Sequence, residues 1–447
     1  MVWLWVAGLI AMPVVAQRHV IYNQRIASLQ VVAGQRWQEM PVAQLGEPVH
    51  IDFDDMTHDY ERYSYKIEHC EADWSESREI FTSDFLQGFN GELTIDNYEQ
   101  SLNTNHLYTH YSLTIPNEHC RLTMSGNYKL SVFSDDDDSH PVFTACFMLV
   151  DPQMKVSMSV TGNTDIDIYH SHQQVAMAID YGEVRVTDPA RQLKTIVLQN
   201  GRWDNAVTAP RAEYVNTEGQ SWKHCRQLIF DGGNEYHKFE MLDLSHTTMG
   251  LDSIFWDGSE AHAYVMADLP RPNYVYDESA NGAFYIRNSD NIDNTFTSDY
   301  AWVHFFLQAP RQQGDVYLNG AWTQDSFLPP YRMEYNEAAK AYEGAVLLKQ
   351  GYYSYRYVVV NATDGQPIAG AKIELYDQRY DFKTKKDKRI VHARLTTDEN
   401  GEAYFKNVDG MVLISTNNDK FTPARDIYLS RTRYYEKKDN ETKYQVY

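Results

Sequence analysis

Apolar residues recur at every second position over much of this chain. Val49, Ile51 and Phe53 alternate with His50, Asp52 and Asp54, Tyr63, Tyr65 and Ile67 do the same, and Tyr128, Leu130 and Val132 repeat the pattern after Gly126-Asn127. Successive strand side chains point to opposite faces of a sheet, so a period of two predicts half-buried strands. Val142 to Val150 reads as a nearly continuous apolar strand, closed at Asp151-Pro152 because proline has no N–H to give a ladder. Further along, Met154, Val156, Met158 and Val160 share one face, followed by Val175, Met177 and Ile179 and then by Val184 and Val186. Asn200-Gly201, between Ile196-Val197-Leu198 and Trp203, is a hairpin signal, since both residues tolerate positive φ.

These patterns predict an all-β chain of tandem β-sandwich modules, Ig-like or early-set-like, with little helix. Aromatics at 13% of residues, with 33 tyrosines, agree with strands. A length of 447 residues exceeds one ordinary core. The expected division is a secretory signal at 1–16, a first sandwich at 17–151, a second at 152–308, an early-set-like module at 309–360 and a further Ig-like domain at 361–447. The signal is expected because Val2 to Ala16 is apolar, too short to span a bilayer, and ends in Val14-Val15-Ala16 before Gln17. No basic residue precedes it, and a buried N-terminal strand is the alternative.

Charge separates the last segment from the rest. The formal net charge is −22, which opposes binding to nucleic acid. Residues 361–447 hold 16 basic and 14 acidic side chains, net +2, so the preceding residues carry −24. Four cysteines, Cys70, Cys120, Cys146 and Cys225, allow three full pairings. Their spacing is not that of a zinc site, and buried thiols with at most one bridge are expected.

Catalytic spacings are missing: there is no Gly-x-Ser-x-Gly elbow, zinc helix, phosphate loop or dinucleotide fingerprint. The expectation is a protein that is not an enzyme and needs no cofactor or metal. His170-Ser171-His172 with Asp165 or Asp167 could hold a metal, but a solvated loop is the simpler reading. Asp135 to Asp138 and Asp52, Asp54 and Asp55 offer oxygens to calcium, although the four-residue run suits a solvated hairpin tip. His69 and Cys70 are adjacent strand residues on opposite faces, so the imidazole is not placed to activate the thiol. Trp74 is expected to pack beneath the turn at Ser75 to Ser77. Trp322, Tyr331 and Tyr352 could stack on a sugar, though filling a small core is the more ordinary role.

Several runs of unusual residues occur in order in the first module. They are His69-Cys70-Glu71-Ala72-Asp73-Trp74, Phe85-Leu86-Gln87-Gly88-Phe89, Asn103-Thr104-Asn105, Tyr108-Thr109-His110-Tyr111 and Ser125-Gly126-Asn127-Tyr128. Together they resemble the first domain of the plug proteins of the type IX secretion system of Bacteroidota. The signature residues so marked are His69, Cys70, Asp73, Trp74, Asn103, Thr104, Tyr108, Thr109, His110, Tyr111, Gly126, Asn127 and Tyr128, taken as fold determinants. The resemblance implies a periplasmic protein at the inner face of the outer membrane. Its partner would be the outer-membrane translocon barrel, which it would seal in the absence of cargo. An exported carbohydrate-binding protein is the alternative, resting on the module at 309–360. Beyond Asn361, the segments Thr363 to Tyr376, Thr397 to Phe405 and Tyr428-Leu429-Ser430-Arg431 resemble a macroglobulin-type domain of bacterial alpha-2-macroglobulin-like proteins, either fused or truncated.

Overall fold

The structure, a computed structural model, describes residues 18–88, 93–135, 139–169, 171–233, 235–271, 278–312 and 314–360. Beyond these it gives the backbone course of six strands between Lys372 and Gln445. About 47% of residues are strand and 6% helix, as the period-two patterns predict. The expected signal at 1–16 and Asp136 to Asp138 lie outside the described residues. No helix of the described residues is long and apolar enough to cross a membrane. The chain divides into two units, Met1–Pro310 with Tyr317–Val358, and Arg311–Val316 with Val359–Tyr447.

The first module is a sandwich. One sheet runs in the order Val20–Ile21, Phe143–Val150, Gly126–Ser134, Tyr63–Cys70 and Leu93–Ile95, with Val42–Gln44 parallel to Phe143–Val150. The other runs Ile26–Ala33, Val49–Asp55, Thr109–Ile115, Asn97–Gln100. Val49, Ile51, Phe53, Tyr63, Tyr65, Ile67, Tyr128, Leu130 and Val132 all face the core between them, as their alternation predicts. Phe53 stacks on Tyr111 with ring centroids 5.2 Å apart. Alternation then turns Asp54 and His110, which are cross-strand partners, to the outer face of the second sheet. That face is not solvated at Asp54, which is fully buried.

A small sheet follows, in the order Lys155–Thr161, His172–Asp180, Gly219–Trp222, Tyr214–Val215, with Ile229–Asp231 also on His172–Asp180. Val175, Met177, Val197, Trp222, Leu228 and Phe230 form its core. Val184 and Val186, read as a strand, lie in irregular backbone. Asn200 and Gly201 do take positive φ, 55° and 70°, but as a turn within a longer link between the paired segments Ile196–Val197 and Val207–Thr208.

Apart from the short pair Leu86–Gly88 and Cys120–Leu122, nine further strands form one sheet. Its order is His237–Met241, Gly351–Val360, Asp315–Asn319, Arg332–Asn336, Ala341–Lys349, Tyr300–Leu307, Ala261–Val265, Leu251–Trp256, with Phe284–Ile286 also on Gly351–Val360. The expected boundary at residues 308 and 309 therefore divides strands of a single sheet, because Tyr300–Leu307 pairs along its whole length with Ala341–Lys349. The change of sheet comes instead between Asp231 and His237. Pattern alone marks strands but not which strand each one pairs with.

In the second unit, Lys372–Asp381 pairs antiparallel with Lys386–Thr396 and Val412–Asn417, and Glu402–Lys406 with Glu441–Gln445. The turn sequences expected at 363–371 and 397–401, and Ser430-Arg431, lie outside the described residues.

Candidate functional site

The signature residues fall into two groups. The first closes one end of the sandwich. His69 and Tyr128 face each other across the Tyr63–Cys70 and Gly126–Ser134 strands, edge to face at 5.2 Å. The Nε2 of His69 lies 3.2 Å from the Ser125 carbonyl, which can only accept, so Nε2 carries the proton. Its Nδ1 then accepts from the Ser77 hydroxyl at 2.9 Å. Gly126 sits against the imidazole at φ 152°, and a Cβ there would overlap the ring. The chain then turns: Asp73 accepts from the Ser75 N–H at 3.0 Å, Trp74 adopts a left-handed φ of 64°, and its indole is buried as expected. The Asn127 amide donates to the Glu71 carbonyl at 2.9 Å, and the Lys129 ammonium to that of Trp74 at 2.6 Å. Tyr128 donates to the Met124 carbonyl at 2.6 Å.

The same geometry answers the question of a nucleophile. Burial pushes the Cys70 thiol up to about 11, and both His69 nitrogens are engaged elsewhere. All four cysteines are buried, as expected.

The second group makes a buried polar junction with strands far along the chain. Tyr300 and Lys349 are cross-strand partners in the nine-stranded sheet, so their side chains lie side by side. Both reach the same atom of the first module: the Tyr300 hydroxyl and the Lys349 ammonium each donate to Oδ2 of Asp54 at 2.6 Å. His110 Nδ1 lies 2.7 Å from Asp54 Oδ1. The ammonium also donates to the Thr295 carbonyl and lies 4.0 Å from the centre of the Tyr108 ring, a cation–π contact. Tyr108 donates to the Ser298 carbonyl at 2.6 Å.

Asp299 closes the rim of this junction. It accepts from the Asn105 N–H and side-chain amide, each at 2.7 Å, and from the His106 N–H at 3.0 Å. Asn103 shapes the approach with a left-handed φ of 58°, and Thr104 donates to the Ser101 hydroxyl at 3.0 Å. Thr109 bonds the Asp59 carbonyl at 3.0 Å and Tyr111 that of Glu61 at 2.9 Å, tying down the adjacent loop. On the neighbouring strand, Ser28 stands 2.7 Å from the Tyr300 hydroxyl, and the Gln30 amide donates to the Phe284 carbonyl at 3.0 Å.

Electrostatics follow from this burial. Desolvation alone would raise the Asp54 carboxyl, but the adjacent Lys349 charge and the His110 hydrogen bond hold it below its ordinary range. Desolvation likewise opposes the His110 imidazolium, yet its bonds to Asp52 and Asp54 raise it. Burial draws the Lys349 ammonium below the usual lysine range, with Asp54 resisting. The group is a buried ionic cluster whose charged side chains are paired with one another.

Other expected sites separate or fill. His170 lies outside the described residues, and His172 bonds Asp167 at 2.6 Å while Asp165 bonds Gln174 and His224 instead. Among the described residues no group of three His, Cys, Asp or Glu side chains is arranged to hold a metal ion. Asp54 and Asp55, read as candidate calcium ligands, are occupied by Lys349, Tyr300 and Tyr63. Trp322 takes the core role, the more ordinary expectation, stacked on Phe305; Tyr331 packs edge-on against it, and Tyr352 packs against Trp37. The sequence reading missed Lys349, Tyr300 and Asp299. A lysine ending the run Ala345-Val346-Leu347-Leu348 was the one visible signal.

Residues 26–151 match the family described as the type 9 secretion system plug protein 1st domain. No curated protein matches the chain. Among solved structures, the crystal structure of a hypothetical protein from Parabacteroides merdae ATCC 43184 is similar, with a TM-score of 0.73 and 34% sequence identity. The likeness covers 85% of this chain and 99% of that one. The chain belongs to the same family as the Parabacteroides merdae protein and carries, at residues 26–151, a type 9 secretion system plug protein first domain.

Proposed function

We propose that this protein is a periplasmic plug, docking at the inner face of the outer membrane on the translocon barrel of the type IX secretion system and sealing it when no cargo is engaged. The match of residues 26–151 to the plug first domain carries this reading. The junction at Asp54 supports it physically. A stopper must hold its shape against a pore, and the buried bonds from Asp54 and Asp299 lock the first module onto the nine-stranded sheet. The role proposed is mechanical rather than catalytic, and the strands beyond Lys372 are proposed to be a macroglobulin-like module appended to it. Co-purification from detergent-solubilised outer membrane tests the reading: the barrel is expected to elute with the protein, and deletion of the gene to make the membrane permeable to small dyes. Normal permeability in the deletion strain would overturn it.

A further inference from the structure

We infer that this protein pairs reversibly with a second copy of itself through the Lys155–Thr161 strand. That strand bonds only to His172–Asp180 and ends its sheet. Every one of its seven residues is exposed, with Val156, Met158 and Val160 at 63%, 64% and 55%. By register these three lie on the face of Ile179, Met177 and Val175, of which Met177 and Val175 are core. The core side of the sheet thus runs out to an uncovered aliphatic row.

Edge strands are normally blunted by proline, a bulge, inward charge or a covering element. Among the described residues this one has none of these: its single charge, Lys155, stands at one end, and its pairing to the next strand runs without a register shift.

The sequence of the edge identifies its occupant. Val156-Ser157-Met158-Ser159-Val160 reads the same in both directions. An antiparallel strand pair about a two-fold axis at Met158 sets Val156 beside the other copy's Val160, serine beside serine and Met158 beside itself. Such a seam is self-complementary, as a two-fold contact requires. Lys155 would face Thr161, so no like charges meet across it. The whole-molecule charge of −22 opposes approach at long range, and salt screens that repulsion. Self-pairing is therefore expected to strengthen with ionic strength, whereas capture of a basic strand from another protein would weaken.

Sedimentation velocity on the full chain tests this, at low and high salt. Wild type is expected to show a concentration-dependent dimer favoured by salt. Met158→Lys and Met158→Asp each place like charges opposite one another at the axis, and each is expected to weaken the dimer at least tenfold. Mixing the two variants in equal amounts is expected to restore it, which a folding defect would not do. A wild type that stays monomeric at both salt concentrations, including one that binds only foreign strands, overturns the inference. A dimer that survives in both single variants overturns it as well.

Discussion

Lys349 and Asp54 show why a buried ion pair is judged by what its loss leaves behind. Both side chains are about 1% exposed, so Lys349→Met takes from the buried Asp54 carboxylate its full positive charge and from the Thr295 carbonyl its donor. Removing one partner of such a pair costs about 3–5 kcal/mol, and replacing both with apolar groups costs far less. Chemical denaturation of Lys349→Met is expected to show that loss, with Asp54→Leu/Lys349→Met recovering only part of it, because Tyr300 and His110 then lose their shared acceptor. The sign of the pH dependence follows from the same site. His110 has a raised folded value, so its contribution is present below 6.5 and fades as pH rises through that folded value. Asp54 has a lowered one, so its contribution is present above 3.8 and is lost as pH falls through the folded value. The junction should be firmest between those limits, and an NMR titration of His110 should give a midpoint above 6.5. At the other end of the sandwich, Gly126→Ala forces a methyl into the His69 ring, an overpacking expected to cost about 1–3 kcal/mol.

Among the elements, the connection from Ser101 to Tyr108 relies on a carboxylate nearly two hundred residues away in sequence. Asp299 satisfies the backbone N–H groups of both Asn105 and His106, and Leu102 donates its own N–H to the Phe296 carbonyl at 2.9 Å. Asp299→Ala removes the acceptor while leaving the strand Tyr300–Leu307 otherwise paired. Amide exchange is expected to accelerate at Asn105 and His106 and to stay slow along the Tyr63–Cys70 and Gly126–Ser134 pair, which share no bond with Asp299. Uniform acceleration across both would mean that Asp299 supports the whole sandwich instead of this connection. The strand patterns of these elements were legible because period two survives any context; the link to Asp299 was not, since neither residue type nor spacing marks it.

For the molecule as a whole, the junction predicts cooperativity. The first sandwich cannot separate from the nine-stranded sheet without exposing Asp54, His110 and Lys349 together. All nine tryptophans lie at or before Trp322, so tryptophan fluorescence does not report on residues 359–447. Thermal unfolding followed by that signal is expected to be a single transition. A separate step belonging to residues 18–151 would show that the polar bonds do not couple the modules.

By itself the sequence determined the all-β class, the strands whose alternation is regular, the buried aromatic faces and the residues that mark the plug first domain. All of these are local or depend on residue type. The tertiary structure decided which strands share a sheet, and so joined the strands from His237 to Leu307 of the expected second module to those of the module at 309–360, leaving the strands from Lys155 to Asp231 in other sheets. It also decided where the signature residues sit. Tyr108 and His110, expected only as fold determinants, are buried where a tyrosine and a lysine, adjacent only through pairing, close over Asp54. Pairing partners and burial are set by contacts distant in sequence, and no local period encodes them.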